Sequence, residues 1–369
     1  MESVVVSPPP GESLRGRTVF LTGHTGFKGS WLAIWLRRLK ARVVGYSLDP
    51  PTQPSNFIAS AVRDTLAAHH HGDVRDTPRL SAVLKAAEAD IVIHMAAQSL
   101  VRVGFASPLE TFDVNVMGTA SLLEAVRRAG RPMVVLVVTS DKCYENREQL
   151  WGYREMDPMG GNDPYSASKG AAELIVAAYR RSFFDPRRLG GHGVKLASVR
   201  AGNVIGGGDW AKDRIVPDIV RAFTANVALG VRNPQAVRPW QHVLEPLCGY
   251  LTLAARMLQS DDPCWCGAWN FGPARDECVP VRRLVEEFCK AWGGGQWKDQ
   301  SDPQAAPEAT VLRLNTEKAF WELGWRPRWT LAEAVRRTAA WHRRFAAGGP
   351  PMLQSCLDDI AAYEQALPQ

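Results

Sequence analysis

The sequence predicts an α/β fold, a doubly wound parallel sheet followed by a smaller C-terminal α/β lobe. Three observations predict it. Short β-branched runs alternate with helical patterns through the first 200 residues. One of these runs, Met133–Val138, is apolar throughout, as a central parallel strand covered on both faces has to be. The first run leads straight into a glycine-rich turn that opens a helix, the arrangement in which glycines carry information.

In chain order, residues 1–15 hold Val4-Val5-Val6 and Pro8-Pro9-Pro10 without a basic start or a long apolar stretch, and read as a disordered tail rather than a signal peptide. Thr18–Thr22 is the first strand. Gly23-His24-Thr25-Gly26-Phe27-Lys28-Gly29 is the turn, and Trp31, Leu32, Ile34, Trp35, Leu36 and Leu39 give the helix its apolar pattern. Glycine lets backbone approach a pyrophosphate, and the helix N-terminus offers it free N–H groups; His24 and Lys28 are separate candidates to sit near a phosphate. Arg42 to Tyr46 and Asp90 to His94 are further strands, with His69-His70-His71 expected as a polar loop ahead of a strand. A helix is expected over Asn115 to Ala129. The strand Val194 to Arg200 runs into the glycine-rich segment 201–209, after which shorter elements and two amphipathic helices, near Leu331 to Phe345 and Leu353 to Leu367, build the lobe. The expected division is therefore a sheet domain over 16–200, to which later segments return, and a lobe over 201–369.

Composition bounds the function. The chain has 369 residues, 46% hydrophobic and 22% charged, which are globular values, and no uncharged apolar run long enough to cross a bilayer. Seven scattered cysteines suggest neither a disulfide framework nor a paired zinc site, so a reducing compartment, the cytoplasm, and no metal are expected. Cys264 and Cys266 lack a matching pair downstream. The net charge of +6 is spread along helices and interleaved with acids, which argues against nucleic acid and for an anionic small molecule.

The chemistry concentrates in Thr139-Ser140-Asp141-Lys142 and Asp163-Pro164-Tyr165-Ser166-Ala167-Ser168-Lys169. The tetrad ends a strand, where ligands of parallel sheets collect. Tyr165 and Lys169 are four apart in a helical segment, with Pro164 suited to its first turn, so phenol and ammonium share a face. A fixed positive charge favours phenolate and makes a tyrosine a candidate base. On its own this spacing also fits a solvated helix face.

Together, Gly23-x-x-Gly26-x-x-Gly29, Asp73-Val74, His94-Met95-Ala96-Ala97, Asn115, Tyr165-x-x-x-Lys169 and Arg200-x-x-Asn203-Val204 resemble the extended short-chain dehydrogenase/reductase family of nucleotide-sugar enzymes. The resemblance spans roughly Gly16 to Phe345. Four phrases, 24–31, 139–146, 151–155 and 238–243, are similar to the branch of that family that dehydrates CDP-glucose. The resemblance implies a Rossmann domain that binds NAD, with CDP-glucose as substrate. It implies that Tyr165 takes the 4-hydroxyl proton while hydride leaves C4, that Lys169 holds the nicotinamide ribose and lowers the tyrosine pKa, and that Ser140 bonds the 4-oxygen. Asp141 and Lys142 fill the places of the acid and base for removing water across C5 and C6. Relatives acting on dTDP-glucose carry glutamate at the base position, and a lysine base has to be neutral, so the base stays open here.

For the cofactor the expected residues are Gly23, Thr25, Gly26, Phe27, Gly29, Asp49, Asp73, Val74, Ala96, Ala97 and Gln98, with Tyr165 and Lys169. Asp49 or the nearby Ser47 would meet the adenosine ribose, and Asp73 and Val74 would bracket the adenine. For the substrate diphosphate Asn203 follows from the resemblance, and Arg214 and Arg238 from the match of an arginine fork to phosphate. A homodimer through helices near Asn115 to Ala129 and Asp163 to Phe184 is also implied. The alternatives are a nucleotide-sugar 4-epimerase, which needs Tyr165 and Lys169 but not Asp141 and Lys142, a dehydratase for another nucleotide sugar, and a non-catalytic dinucleotide sensor.

Overall fold

The computed structural model describes residues 11–301, 311–349 and 351–366. Its strands are β1 (Thr18–Thr22), β2 (Arg42–Ser47), β3 (Ala68–His71), β4 (Ile91–His94), β5 (Met133–Val138), β6 (Val194–Ala201), β7 (Val204–Ile205), β8 (Leu229–Val231), β9 (Val237–Pro239), β10 (Gln241–His242), β11 (Ala268–Phe271), β12 (Cys278–Pro280) and β13 (Trp297–Asp299). Seven of them form one parallel sheet in the order β11-β6-β5-β4-β1-β2-β3. The chain runs outward from β1 to β3, then returns to place β4 on the other side of β1. A crevice therefore opens between the carboxyl ends of β1 and β4, where the connections diverge.

Alternation along the strands builds both layers. Val19 and Leu21 of β1, with Val134 and Leu136 of β5, pack under helices Phe27–Arg38 and Leu244–Gln259. Their neighbours Phe20, Val135 and Val137 face the opposite way, against Leu80, Leu84, Leu122, Leu123, Val126 and Val176 of helices Thr77–Ala87, Gly118–Ala129 and Pro164–Ser182. The lobe has its own core of Ile205, Val216, Ile219, Leu284, Val285, Phe288 and Val335. β6 and β11, both after residue 190, lie in the main sheet, so the lobe is threaded through it rather than appended.

Four expectations change. Residues 1–10 lie outside the described residues, but Gly11–Leu14, expected in the tail, is a helical turn because Leu14 is fully buried. His69-His70-His71 is not a loop: it forms most of β3, the edge strand, where His69 Nδ1 lies 2.7 Å from His24 Nε2. The expected helix at Asn115 begins with a π-helical turn, Asp113–Met117, before the regular helix. The last helix is Leu353–Gln365. No helix among the described residues is long and apolar enough to cross a membrane.

Candidate active site

The glycine turn sits at the crevice. Gly23 has φ +73, and a β-carbon there would come 2.6 Å from the backbone nitrogen of Ala96. A β-carbon on Gly29 would collide with the Gly23 carbonyl, so the helix starting at Phe27 is drawn tight against the turn. Gly26 caps that helix without a side-chain acceptor, which leaves its first N–H groups directed at the crevice. The cradle suits a diphosphate.

Around it, the Thr25 hydroxyl donates to the Leu48 carbonyl at 2.9 Å and lies 2.7 Å from the Ser47 hydroxyl, closing the end of β2. Asp49 projects away: its carboxylate is 89% exposed and 3.6 Å from His71 Nε2. Ser47, by contrast, is buried at the end of β2. The Asp73 carboxylate clamps Arg75, which holds it below the usual carboxylate range, and Val74 is buried against Gly118. Ala96 N–H donates to Thr22 Oγ1. Ala97 follows in the same connection, between β4 and the helix Val101–Ala106. Gln98 is fixed by Asn115, whose Oδ1 accepts from its N–H and whose Nδ2 donates to its carbonyl, both at 2.9 Å. The same Nδ2 reaches Ser168 Oγ at 2.8 Å and so ties this loop to the tyrosine helix.

His24 is not a phosphate ligand. It is fully buried against Gly45, and burial and then His69 push it down to about 3, so it is neutral. Lys28 does enter the site. Its Nζ donates to the Tyr250 hydroxyl at 3.3 Å, and burial first, then the charges of Arg214 and Lys169, lower it to about 7. Sequence pattern gave no sign of that burial, because a lysine one residue into a helix normally snorkels outward.

The strand-end tetrad folds into a short turn. Ser140 Oγ accepts from the Lys142 N–H at 3.2 Å and caps the 3₁₀ turn Asp141–Cys143. It also donates to Asp141 Oδ1 at 2.9 Å, the oxygen that Lys142 Nζ approaches at 3.4 Å. Asp141 is 1% exposed, and its Oδ2 has no hydrogen-bond partner among the described residues; it faces Gly202, where a β-carbon would come within 3.2 Å. Facing the turn is the helix Pro164–Ser182, capped by Asp163, whose Oδ1 accepts the Ser166 N–H at 3.0 Å. Tyr165 and Lys169 are both buried on it. Burial raises Tyr165 to about 12, with a hydrogen bond from Ser140 pulling down and the Asp141 charge pushing up. Lys169 falls to about 8 through burial, partly offset by Cys143 and Glu173. The direction differs from the expectation: within the protein the phenol is raised, because desolvation outweighs the pull of Ser140 and of the Arg214 charge.

On the lobe side, Asn203 presents a buried Oδ1 with no partner among the described residues. Arg214 joins Asp209 and Ser99 at 3.2 Å each, and its charge is felt by both Lys28 and Tyr165. Arg238 lies on β9, its Nη1 donating to the Val237 carbonyl. Ser140, Asp141, Lys142, Tyr165, Lys169, Lys28 and Arg214 thus share one electrostatic neighbourhood; Asp49 does not. No group of three His, Cys, Asp or Glu able to hold a metal occurs among the described residues.

Comparison with known proteins places this arrangement. Residues 20–338 match the family model described as GDP-mannose 4,6 dehydratase. The chain is 50% identical over 355 residues to a CDP-glucose 4,6-dehydratase of Salmonella typhimurium, covering 95% of this chain and 97% of that one. It is 30% identical over 346 residues to a dTDP-glucose 4,6-dehydratase of Streptomyces antibioticus, covering 90% and 95%. A dTDP-glucose 4,6-dehydratase from Streptomyces venezuelae, solved with NAD and TYD bound, superposes with a TM-score of 0.76 at 24% identity over 91% of this chain and 99% of that one. A UDP-glucose 4-epimerase from Stenotrophomonas maltophila with bound NAD does so equally, at 0.76 and 22% over 90% and 100%, so the shared fold does not separate the two chemistries. With its parallel sheet, glycine cradle and buried tyrosine–lysine helix accounted for, the chain belongs to the GDP-mannose 4,6 dehydratase family of extended short-chain dehydrogenases/reductases.

Proposed function

We propose that this chain is an NAD-dependent 4,6-dehydratase that converts CDP-glucose to CDP-4-keto-6-deoxyglucose and water. The observation that carries the reading is the Asp141–Lys142 pair, 3.4 Å apart and sharing the Asp141 carboxylate with Ser140, beside Tyr165. An epimerase has no use for that pair. The half-identical Salmonella relative, matched along nearly its whole length, supports cytidine as the nucleotide.

The cradle of Gly23, Gly26 and Gly29 with the free N-terminus at Phe27 fits the pyrophosphate of NAD. NAD held there would supply a reversible two-electron acceptor and a positive charge beside the sugar. Tyr165 takes the proton of the sugar 4-hydroxyl and later returns it where the chemistry needs an acid. Burial holds its own proton more tightly than in a free phenol, and Ser140 and Arg214 are the protein groups that pull the other way, toward the phenolate that accepts a proton, a direction the positive charge of NAD would reinforce. The 4-ketone acidifies the C5 hydrogen. Lys142 removes that proton and Asp141 gives its own to the 6-hydroxyl, which leaves as water and opens a C5=C6 double bond. When C6 is reduced, Lys142 returns its proton to C5, and the 4-hydroxyl proton held by Tyr165 makes good the one that Asp141 gave up. Asn203, Arg214 and Arg238 hold the substrate diphosphate, with the bare Asn203 Oδ1 available to a hydroxyl donor.

A second copy of the chain covers the helices beside the site. Leu109, Met117 and Leu174 are 85%, 55% and 62% exposed, on the segment 108–129 and the tyrosine helix, an apolar face suited to a homodimer. All seven cysteines are free, which fits the reducing cytoplasm. Incubation with CDP-glucose and NAD, read by mass spectrometry, tests the reading: a product lighter by one water supports it, and unchanged mass turns it to an epimerase.

A further inference from the structure

We propose that Glu173 and Arg200, a buried ion pair outside the reacting groups, are positioning residues that hold the Ser140–Cys143 turn and the tyrosine helix in one register. The inference rests on the dehydratase reading above. Glu173 is 5% and Arg200 3% exposed. Four donors fill the carboxylate: Thr139 Oγ1 at 2.5 Å and Arg200 Nε at 2.8 Å on Oε1, Ser198 Oγ at 2.7 Å and Arg200 Nη2 at 2.8 Å on Oε2. Arg200 Nη1 then donates to the Tyr144 hydroxyl at 2.7 Å and to the Glu155 carbonyl at 3.0 Å, with the guanidinium 4.9 Å from the centre of the Tyr144 ring. Tyr144 in turn donates to Asn270 Oδ1 at 2.7 Å.

The placement of these links gives them meaning. Thr139 directly precedes Ser140, and Tyr144 directly follows Cys143, so the pair grips both ends of the segment that carries the acid and the base. Glu173 stands four residues after Lys169 and eight after Tyr165, on the same helix face. One carboxylate therefore ties the redox half of the site to the elimination half, across the ends of β5 and β6. A buried ion pair adds little net stability compared with apolar residues of the same shape. What this one supplies is a fixed distance between two groups of residues that must act on adjacent carbons of one sugar.

The test uses full-length protein with NAD and CDP-glucose. Tyr144→Phe removes a single hydroxyl from the chain of links, and the paired Glu173→Gln/Arg200→Met removes both charges without stranding either. Positioning predicts that kcat for water loss falls on the order of a hundredfold in the paired variant and about tenfold in Tyr144→Phe, with KM for CDP-glucose within about threefold of wild type. It also predicts that absorbance of the reduced nicotinamide band builds up during turnover, since oxidation at C4 outruns a misaligned elimination. A purely structural pair predicts a lower melting temperature with unchanged kcat per folded molecule and no such band. Wild-type kcat in either folded variant overturns the proposal, and should the paired variant not fold, Tyr144→Phe decides. If wild type itself loses no water from CDP-glucose, the dehydratase reading fails instead.

Discussion

Replacing Asp141 by asparagine separates the two halves of the reaction. Asparagine matches the carboxylate in shape but has no proton to give the departing 6-hydroxyl. A positioned general acid contributes typically 10²–10⁴-fold, so water loss should slow by about that factor, equivalent to roughly 3–5 kcal/mol of barrier. The fold should not suffer. Asp141 is 1% exposed, with one oxygen held by Ser140 and Lys142 and the other without a partner among the described residues, and such an unmet buried acceptor costs about 1–3 kcal/mol. Asparagine keeps the acceptor for Ser140 and sets an amide N–H₂ where the unpartnered oxygen stood, so one unmet polar group replaces another and the melting temperature stays level. The assay is stopped-flow absorbance of the reduced nicotinamide band with CDP-glucose, beside mass spectrometry of the product. The variant should reach the reduced band at near wild-type rate and then stall. Dehydration within about tenfold of wild type would refute Asp141 as the acid.

Tyr165→Phe should lower turnover at least about a hundredfold at the first step, with NAD affinity by calorimetry unchanged. Gly23→Ala forces a β-carbon to 2.6 Å from the Ala96 nitrogen at a positive φ, and NAD affinity should fall by about tenfold or more in the same titration. Acid should destabilise the fold: His24, His94, His242 and His342 are buried and held near 3, so the unfolded chain, with histidines near 6.5, binds protons first. That stability is present above about 6.5 and lost as pH falls toward 3; at pH 5.5 the four together cost about 6 kcal/mol. Glu245 works the other way, since burial lifts it to about 7 and its contribution is lost as pH rises through that value, so calorimetric melting should show Glu245→Gln more acid-sensitive than wild type. Leu174→Glu should convert a dimer to a monomer by light scattering.

The glycine turn, the strand alternation and the tyrosine–lysine spacing were legible because each is a local pattern with a physical reason. Other features depend on partners far along the chain. His69 reads as a loop residue until His24 is placed beside it, 45 positions away, on an edge strand where polar side chains are tolerated. Lys28 reads as a solvated helix residue until Tyr250, 222 positions away, closes over it. Asp49 fits the acidic position after the second strand by count, yet the strand ends at Ser47 and Asp49 turns outward to His71. The Tyr165 environment was inferred from one cation, whereas desolvation, a property of the packed site, decides its direction. Arg200 was visible as part of a motif, but its partner Glu173 passed as one more residue of a helix.

In the proposed reaction hydrogen moves within one sugar, from C4 to C6, while water leaves. CDP-glucose deuterated at C4, incubated with the protein and NAD, should yield a product lighter by one water with the deuterium at C6. A product of unchanged mass, or a dehydrated one without deuterium at C6, would contradict it.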